Sequence, residues 1–131
     1  TARGYTILLI GSPREHDWLA PILDGTIHIH SAVGLDINLV SALLQQSALA
    51  VTNDSGIAHL ASAVGTKTVV VYGISSSYTH SCVRGQAPSF PVFSTEKPPA
   101  QIYDKDTPET IAAMAIITAD RVLTTIERAL R

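Results

Sequence analysis

Cysteine is all but absent from this sequence, with Cys82 the only one among 131 residues. One thiol closes no internal disulfide and cannot build a Cys/His zinc cluster, so a disulfide-stapled secreted fold and a zinc finger are both excluded. A reducing compartment, the cytoplasm, is the expected location. Charge is also sparse, at 15% of residues, and the net charge of -2 arises from scattered single charges. No Lys/Arg stripe exists that could follow a phosphate backbone, so nucleic acid is not an expected partner. Long apolar runs are missing as well. None approaches the roughly 20 residues of a transmembrane helix, and Thr1-Ala2-Arg3 lacks the charged-then-apolar build of a signal peptide.

What is present is aliphatic. A hydrophobic content of 46% in 131 residues is enough for one sizeable core, which predicts a single domain. The chain starts without methionine and enters the strand-like run Tyr5 to Ile10 almost at once, as a domain cut from a longer protein would.

Strand and helix patterns alternate. Tyr5-Thr6-Ile7-Leu8-Leu9-Ile10 is a nearly continuous apolar run closed by Gly11, which predicts a strand buried on both faces, central or nearly so. Ser12-Pro13-Arg14-Glu15 supplies a cap, a first-turn proline and an acid. Trp18, Leu19, Ile22 and Leu23 follow at helical spacing, with Trp18 expected in the core. Ile27 to His30 alternates like a short half-exposed strand, and Asp36 caps a helix whose Ile37, Leu39, Val40, Leu43 and Leu44 form a wide apolar face. The unit then repeats: a strand over 48–52, the turn Asn53-Asp54-Ser55-Gly56, and a helix beginning near Ile57 and ending at Gly65. Thr68 to Tyr72 is the clearest strand, rich in β-branched residues and closed by Gly73. From Ile74 to Pro99 the periodicity fails around a possible edge strand at Pro91-Val92-Phe93. Thr107-Pro108-Glu109 and Thr118-Ala119-Asp120 open the last two helical stretches. The alternation predicts an α/β fold with a Rossmann-like parallel sheet flanked by helices.

In open parallel sheets, ligands bind beyond the carboxyl ends of the strands, where Asn53-Asp54-Ser55-Gly56 is expected. Gly56 allows close backbone approach, and the N–H groups of Gly56, Ile57 and Ala58 suit a phosphate. His59 lies about one helical turn further on, within reach of the same anion. The plain alternative is that Asp-Ser is an ordinary helix cap and His59 merely exposed, and spacing alone leaves both open. A Ser55–His59 nucleophile and base pair has little support, because the Gly-x-Ser-x-Gly elbow and a third partner are missing.

The stretch from Val51 to Gly73, VTNDSGIAHLASAVGTKTVVVYG, resembles the signature of the ADP-heptose:lipopolysaccharide heptosyltransferases, glycosyltransferase family 9. Its shared parts are a strand, Asp-(Ser/Thr)-Gly, two residues, His-Leu, small residues, a glycine, a second strand and (Phe/Tyr)-Gly. Ile10-Gly11 with its acidic helix, Leu39 to Leu44, and Ile116-Ile117-Thr118 with Val122 extend the likeness over nearly the whole chain. The resemblance implies the C-terminal half of a two-domain GT-B glycosyltransferase, which binds a nucleoside-diphosphate sugar, ADP-heptose, for lipopolysaccharide core synthesis. It implies donor contacts from Asp54, Ser55, Gly56, Ile57 and His59, with an acid after the first strand at the ribose, best matched by Glu15 with Asp17 close by. It implies no cofactor or metal. The catalytic base and acceptor site belong to an N-terminal acceptor domain, so this chain alone is expected to be inactive; the parent enzyme would be cytoplasmic and peripheral to the inner membrane. There are departures: Lys67 where members often carry proline, Ile74-Ser75 in place of Pro-Thr, and alanines where many have a cysteine before the Ile-Thr of the last helix.

Rival readings are a stand-alone interaction domain and one half of a nucleotide-sugar epimerase, which also sets a Ser-Gly turn at donor phosphates. His28 and His30 share one face of a predicted strand but have no acid or cysteine at metal-ligand spacing. The run Ser75 to His80 follows a strand's carboxyl end, where it could close over a sugar or be plain loop.

Overall fold

The computed structural model describes residues 4–23, 28–73, 87–94 and 108–131. It is an α/β protein of parallel strands in open sheets flanked by helices, a Rossmann-like arrangement. Contacts divide it into two compact units, residues 1–43 and 44–131. Among the described residues, no helix is long and apolar enough to cross a membrane.

In the first unit, β1 (Ile7–Gly11) pairs in parallel with β2 (Ile29–Val33), in the register Ile7↔Ile29 to Gly11↔Val33. A 3-10 turn (Pro13–Glu15) and helix α1 (His16–Leu23) connect the two strands. Two expectations fail here. β1 is not a central strand buried on both faces: among the described residues it pairs only with β2, and Ile7 and Leu8 are exposed. An unbroken apolar run reports that both faces are apolar, not that both are covered. Trp18 is not in the core either, being 80% exposed, and Ile22 is exposed with it. On a helix of eight residues one narrow stripe can face the strands, and the half-buried Leu19 and Leu23 occupy it. Trp18 and Ile22 each lie one residue earlier, rotated away by about 100°. β2 begins at Ile29, later than its alternation suggests, with exposed His28 just before it; Ile27 lies outside the described residues.

Helix α2 (Ile37–Gln46) starts at Asp36, whose carboxylate accepts the Asn38 N–H at 2.8 Å, as a cap should. From Leu44 onward its residues belong to the second unit, built on β3 (Ala50–Asn53), β4 (Thr68–Tyr72) and β5 (Ser89–Phe93), parallel and in that order. β4 is the middle strand, and both its faces are covered. Val70 and Tyr72 pack with Ala58 of α3 (Gly56–Ala63) and with Phe93, whose ring stacks on Tyr72 at 5.3 Å. On the other face Val69 packs with Val92, Ala129, Val122 and Ile126. Ala129, Val122 and Ile126 belong to α5 (Ala119–Ala129), which follows α4 (Pro108–Ala115). Val69 and Val70 are fully buried, each contributing about 1.5–3 kcal/mol. Small residues Ala58, Ala61 and Ser62 let α3 lie close to the strands. Pro91 sits in β5, which among the described residues is an edge strand of this sheet, where a missing N–H is tolerated.

Polar contacts fasten the ends. Gly65, with φ +84, reverses the chain after α3: its N–H bonds the Ser62 carbonyl and the Thr66 N–H the Ala61 carbonyl, a Schellman closure. The buried Thr66 hydroxyl donates to the Leu44 carbonyl at 2.6 Å, a carbonyl in the last turn of α2 that also accepts the Ser47 N–H at 2.9 Å. Lys67 Nζ donates to the Ala129 carbonyl at 3.1 Å, placing a cation at the C-terminus of α5. This accounts for a lysine where proline is common. The Thr118 hydroxyl caps α5 by accepting the Arg121 N–H.

Candidate functional site

β3 ends at Asn53, and the Asp54 N–H donates to the Val71 carbonyl at 3.2 Å, carrying the β3–β4 ladder one step further. Chain direction then changes, because Ser55 is extended (φ -149°, ψ 173°) and Gly56 is the first residue of α3. The Asp54-Ser55-Gly56 turn therefore stands at the carboxyl end of a parallel strand and opens a helix, as its sequence predicts. Gly56 is exposed, and a methyl group built on it meets nothing within 4 Å.

The first amides of a helix have no intrahelical acceptor. Here Ala58 donates to the Ser55 carbonyl at 3.0 Å, while the Ser55 side chain makes no capping bond. Among the described residues Gly56 and Ile57 thus present N–H groups at the positive end of the α3 dipole. His59 is exposed and lies one helical turn further on, its Cα–Cβ bond tilted toward the helix N-terminus like that of any helical residue. Asp54 is half-buried beside them. The Ser55 hydroxyl faces the Thr52 hydroxyl at 3.2 Å, so among the described residues Ser55 has a serine-to-threonine contact and not a nucleophile-to-base pair with His59. Thr52 carries no weight in a motif reading; the signal that could have found it is a hydroxyl three residues before Ser55.

Glu15 lies in the other unit, in the turn that follows β1. Its carboxylate accepts the Ser12 N–H at 2.7 Å and the Ser12 hydroxyl at 2.8 Å. Those two bonds, the backbone one foremost, hold its pKa below the ordinary carboxylate value. Glu15 is exposed and Gly11 is its close neighbour, with the position of a Gly11 Cβ only 3.5 Å from Glu15 Oε2. The two histidines His28 and His30 are exposed, and among the described residues no three His, Cys, Asp or Glu side chains gather as a metal site. Ser75 to His80 and Cys82 lie outside the described residues.

The carboxyl edge of the second sheet is otherwise firmly built. Ser94 bonds the Gly73 carbonyl through its hydroxyl at 2.7 Å and the Tyr72 carbonyl through its N–H at 3.2 Å, and Arg121 donates to the Phe93 carbonyl at 2.9 Å. Met114 of α4 presses on Gly73, where a Cβ would collide with its sulfur. Three strand ends are thereby held beside the turn.

A family model described as glycosyltransferase family 9 (heptosyltransferase) matches residues 1–105. The matched stretch contains Glu15 and all of 54–59, and it stops before Ile116-Ile117-Thr118, so it is shorter than the near-complete likeness expected. No curated protein matches the chain, and no solved structure does.

Proposed function

The chain belongs to glycosyltransferase family 9, the heptosyltransferases, and we propose that residues 1–131 act as one nucleotide-sugar-binding domain, the donor-binding half of a GT-B enzyme. The observation that supports this reading best is the coincidence of the family match with the open helix start at Asp54 to His59. The N–H groups of Gly56 and Ile57, the Ser55 hydroxyl and the His59 ring would hold the donor's diphosphate. These are donors preset for the charge that builds on the diphosphate as the sugar leaves. Asp54 is an acceptor and so suits sugar hydroxyls rather than phosphate oxygens. Glu15, whose carboxylate is already held by Ser12, would accept from a ribose hydroxyl.

The donor in this reading is ADP-heptose and the process lipopolysaccharide core synthesis, on the cytoplasmic side and peripheral to the inner membrane. A partner acceptor domain supplies the base, so this chain alone transfers no sugar. Titration with ADP and with adenosine tests the site. ADP should bind with an affinity of about 1 mM, roughly -4 kcal/mol, and His59→Ala should weaken ADP more than adenosine. Equal binding of both ligands, unmoved by the substitution, would refute the phosphate assignment.

A further inference from the structure

A serine that precedes a helix in an extended conformation ordinarily turns its oxygen onto the amide two or three residues on. Ser55 has that backbone, at φ -149° and ψ 173°, yet makes no such bond. The reason lies one turn back, on β3. Thr52 Oγ1 has the Asn53 carbonyl at 3.0 Å, an oxygen that can only accept, and with the Thr52 proton directed there Ser55 is the donor and Thr52 the acceptor at the 3.2 Å contact between the two hydroxyls. Thr52 is half-buried on a strand that is hydrogen-bonded to β4, whereas Ser55 is exposed. The fixed partner therefore restrains the free one. We propose that Thr52 is a positioning residue: by holding the Ser55 hydroxyl, it keeps the first amides of α3 uncapped and open to a diphosphate.

The inference rests on the reading of the α3 start as the diphosphate site, and it adds a part that the turn itself does not contain. Without the Thr52 oxygen, rotation about the Ser55 side-chain bond brings its hydroxyl onto the Ile57 N–H, and the helix caps itself. When a diphosphate arrives, the same Thr52 oxygen can turn its proton onto Ser55, which frees the Ser55 proton for a phosphate oxygen. Both effects favour binding only while residue 52 carries a hydroxyl.

Amide-resolved NMR on the whole chain tests this, with ADP as the probe. Thr52→Val, which keeps the shape and removes the hydroxyl, should slow exchange of the Ile57 amide in the absence of ligand, because Ser55 now caps it. The same variant should weaken ADP about three- to tenfold, the worth of one net hydrogen bond. Thr52→Ser should restore both values. In a Ser55→Ala background no capping hydroxyl remains, and Thr52→Val should then have no further effect on either. If Ser55→Ala and His59→Ala weaken ADP but Thr52→Val changes neither ADP affinity nor Ile57 exchange, the positioning role is wrong and the donor site stands. If none of the substitutions alters ADP binding, the donor reading itself fails and takes the role of Thr52 with it.

Discussion

A methyl group added at Gly56 meets no atom within 4 Å, and this glycine is not among those with positive φ, so Gly56→Ala puts no strain on the ligand-free chain. Alanine restricts the unfolded chain and favours helix, effects worth about 0.4–1 kcal/mol at a compatible site. At the first position of α3 about 0.5 kcal/mol is reasonable, a rise in melting temperature of roughly 1–4 °C. Binding should move the other way. If phosphate oxygens approach the Gly56 and Ile57 N–H groups, the methyl intrudes on that approach and weakens a charge-assisted hydrogen bond worth about 1.5–3 kcal/mol. The lower figure suits an exposed site and corresponds to about a tenfold loss of ADP affinity. A thermal melt without ligand and an NMR titration with ADP supply the two numbers. A variant that melts several degrees lower would mean that the fold, not a ligand, requires glycine here. One that binds ADP as before would mean that no phosphate comes near Gly56.

Lys67→Met removes the cation from the C-terminus of α5 and its bond to the Ala129 carbonyl, and should cost about 0.3–1 kcal/mol in urea unfolding; an unchanged midpoint would deny that contact a role. The lowered pKa of Glu15 means that its bonds to Ser12 stabilise the fold fully above the ordinary carboxylate value, and that this contribution is lost as pH falls through the lowered one. Glu15→Gln should therefore lose less stability than the parent on acidification, and parallel acid-unfolding curves would contradict this. The single tryptophan, Trp18, should emit as in water and be readily quenched by acrylamide, since it is 80% exposed. A blue-shifted, protected emission would show the residue to be covered, and light scattering would then tell whether self-association is the cause.

The strand-turn-helix over residues 50–63 was legible because its signals are local: an apolar strand, a turn of Asn, Asp, Ser and Gly, then apolar residues at helical spacing. The caps at Asp36 and Thr118 act over two or three residues and were equally plain. Pro91 announced an edge strand through its missing N–H. Trp18 and β1 were misjudged for a shared reason. Apolarity shows what a residue would gain from burial, whereas burial itself depends on which other segments cover it. Lys67 was visible only as a departure from its family, because its partner carbonyl lies 62 residues further along. Thr52 escaped notice as one more β-branched strand residue, since its role depends on where two hydroxyl protons go.

The burial of β4 between α3 and α5 also has a consequence for synthesis on the ribosome. One face of Thr68-Val69-Val70-Val71-Tyr72 is covered by α3, which has already emerged when the strand appears, whereas the cover of the other is completed only by α5. The Lys67–Ala129 contact spans 62 residues, a delay of about 3 to 12 s at ordinary elongation rates. Throughout that interval a β-branched, uncharged segment lacks the cover that α5 supplies, and its composition favours strand-to-strand association between nascent chains. Yield in the cell should therefore depend on what shields this strand during those seconds, and a stop codon placed before α5 should send the product into inclusion bodies.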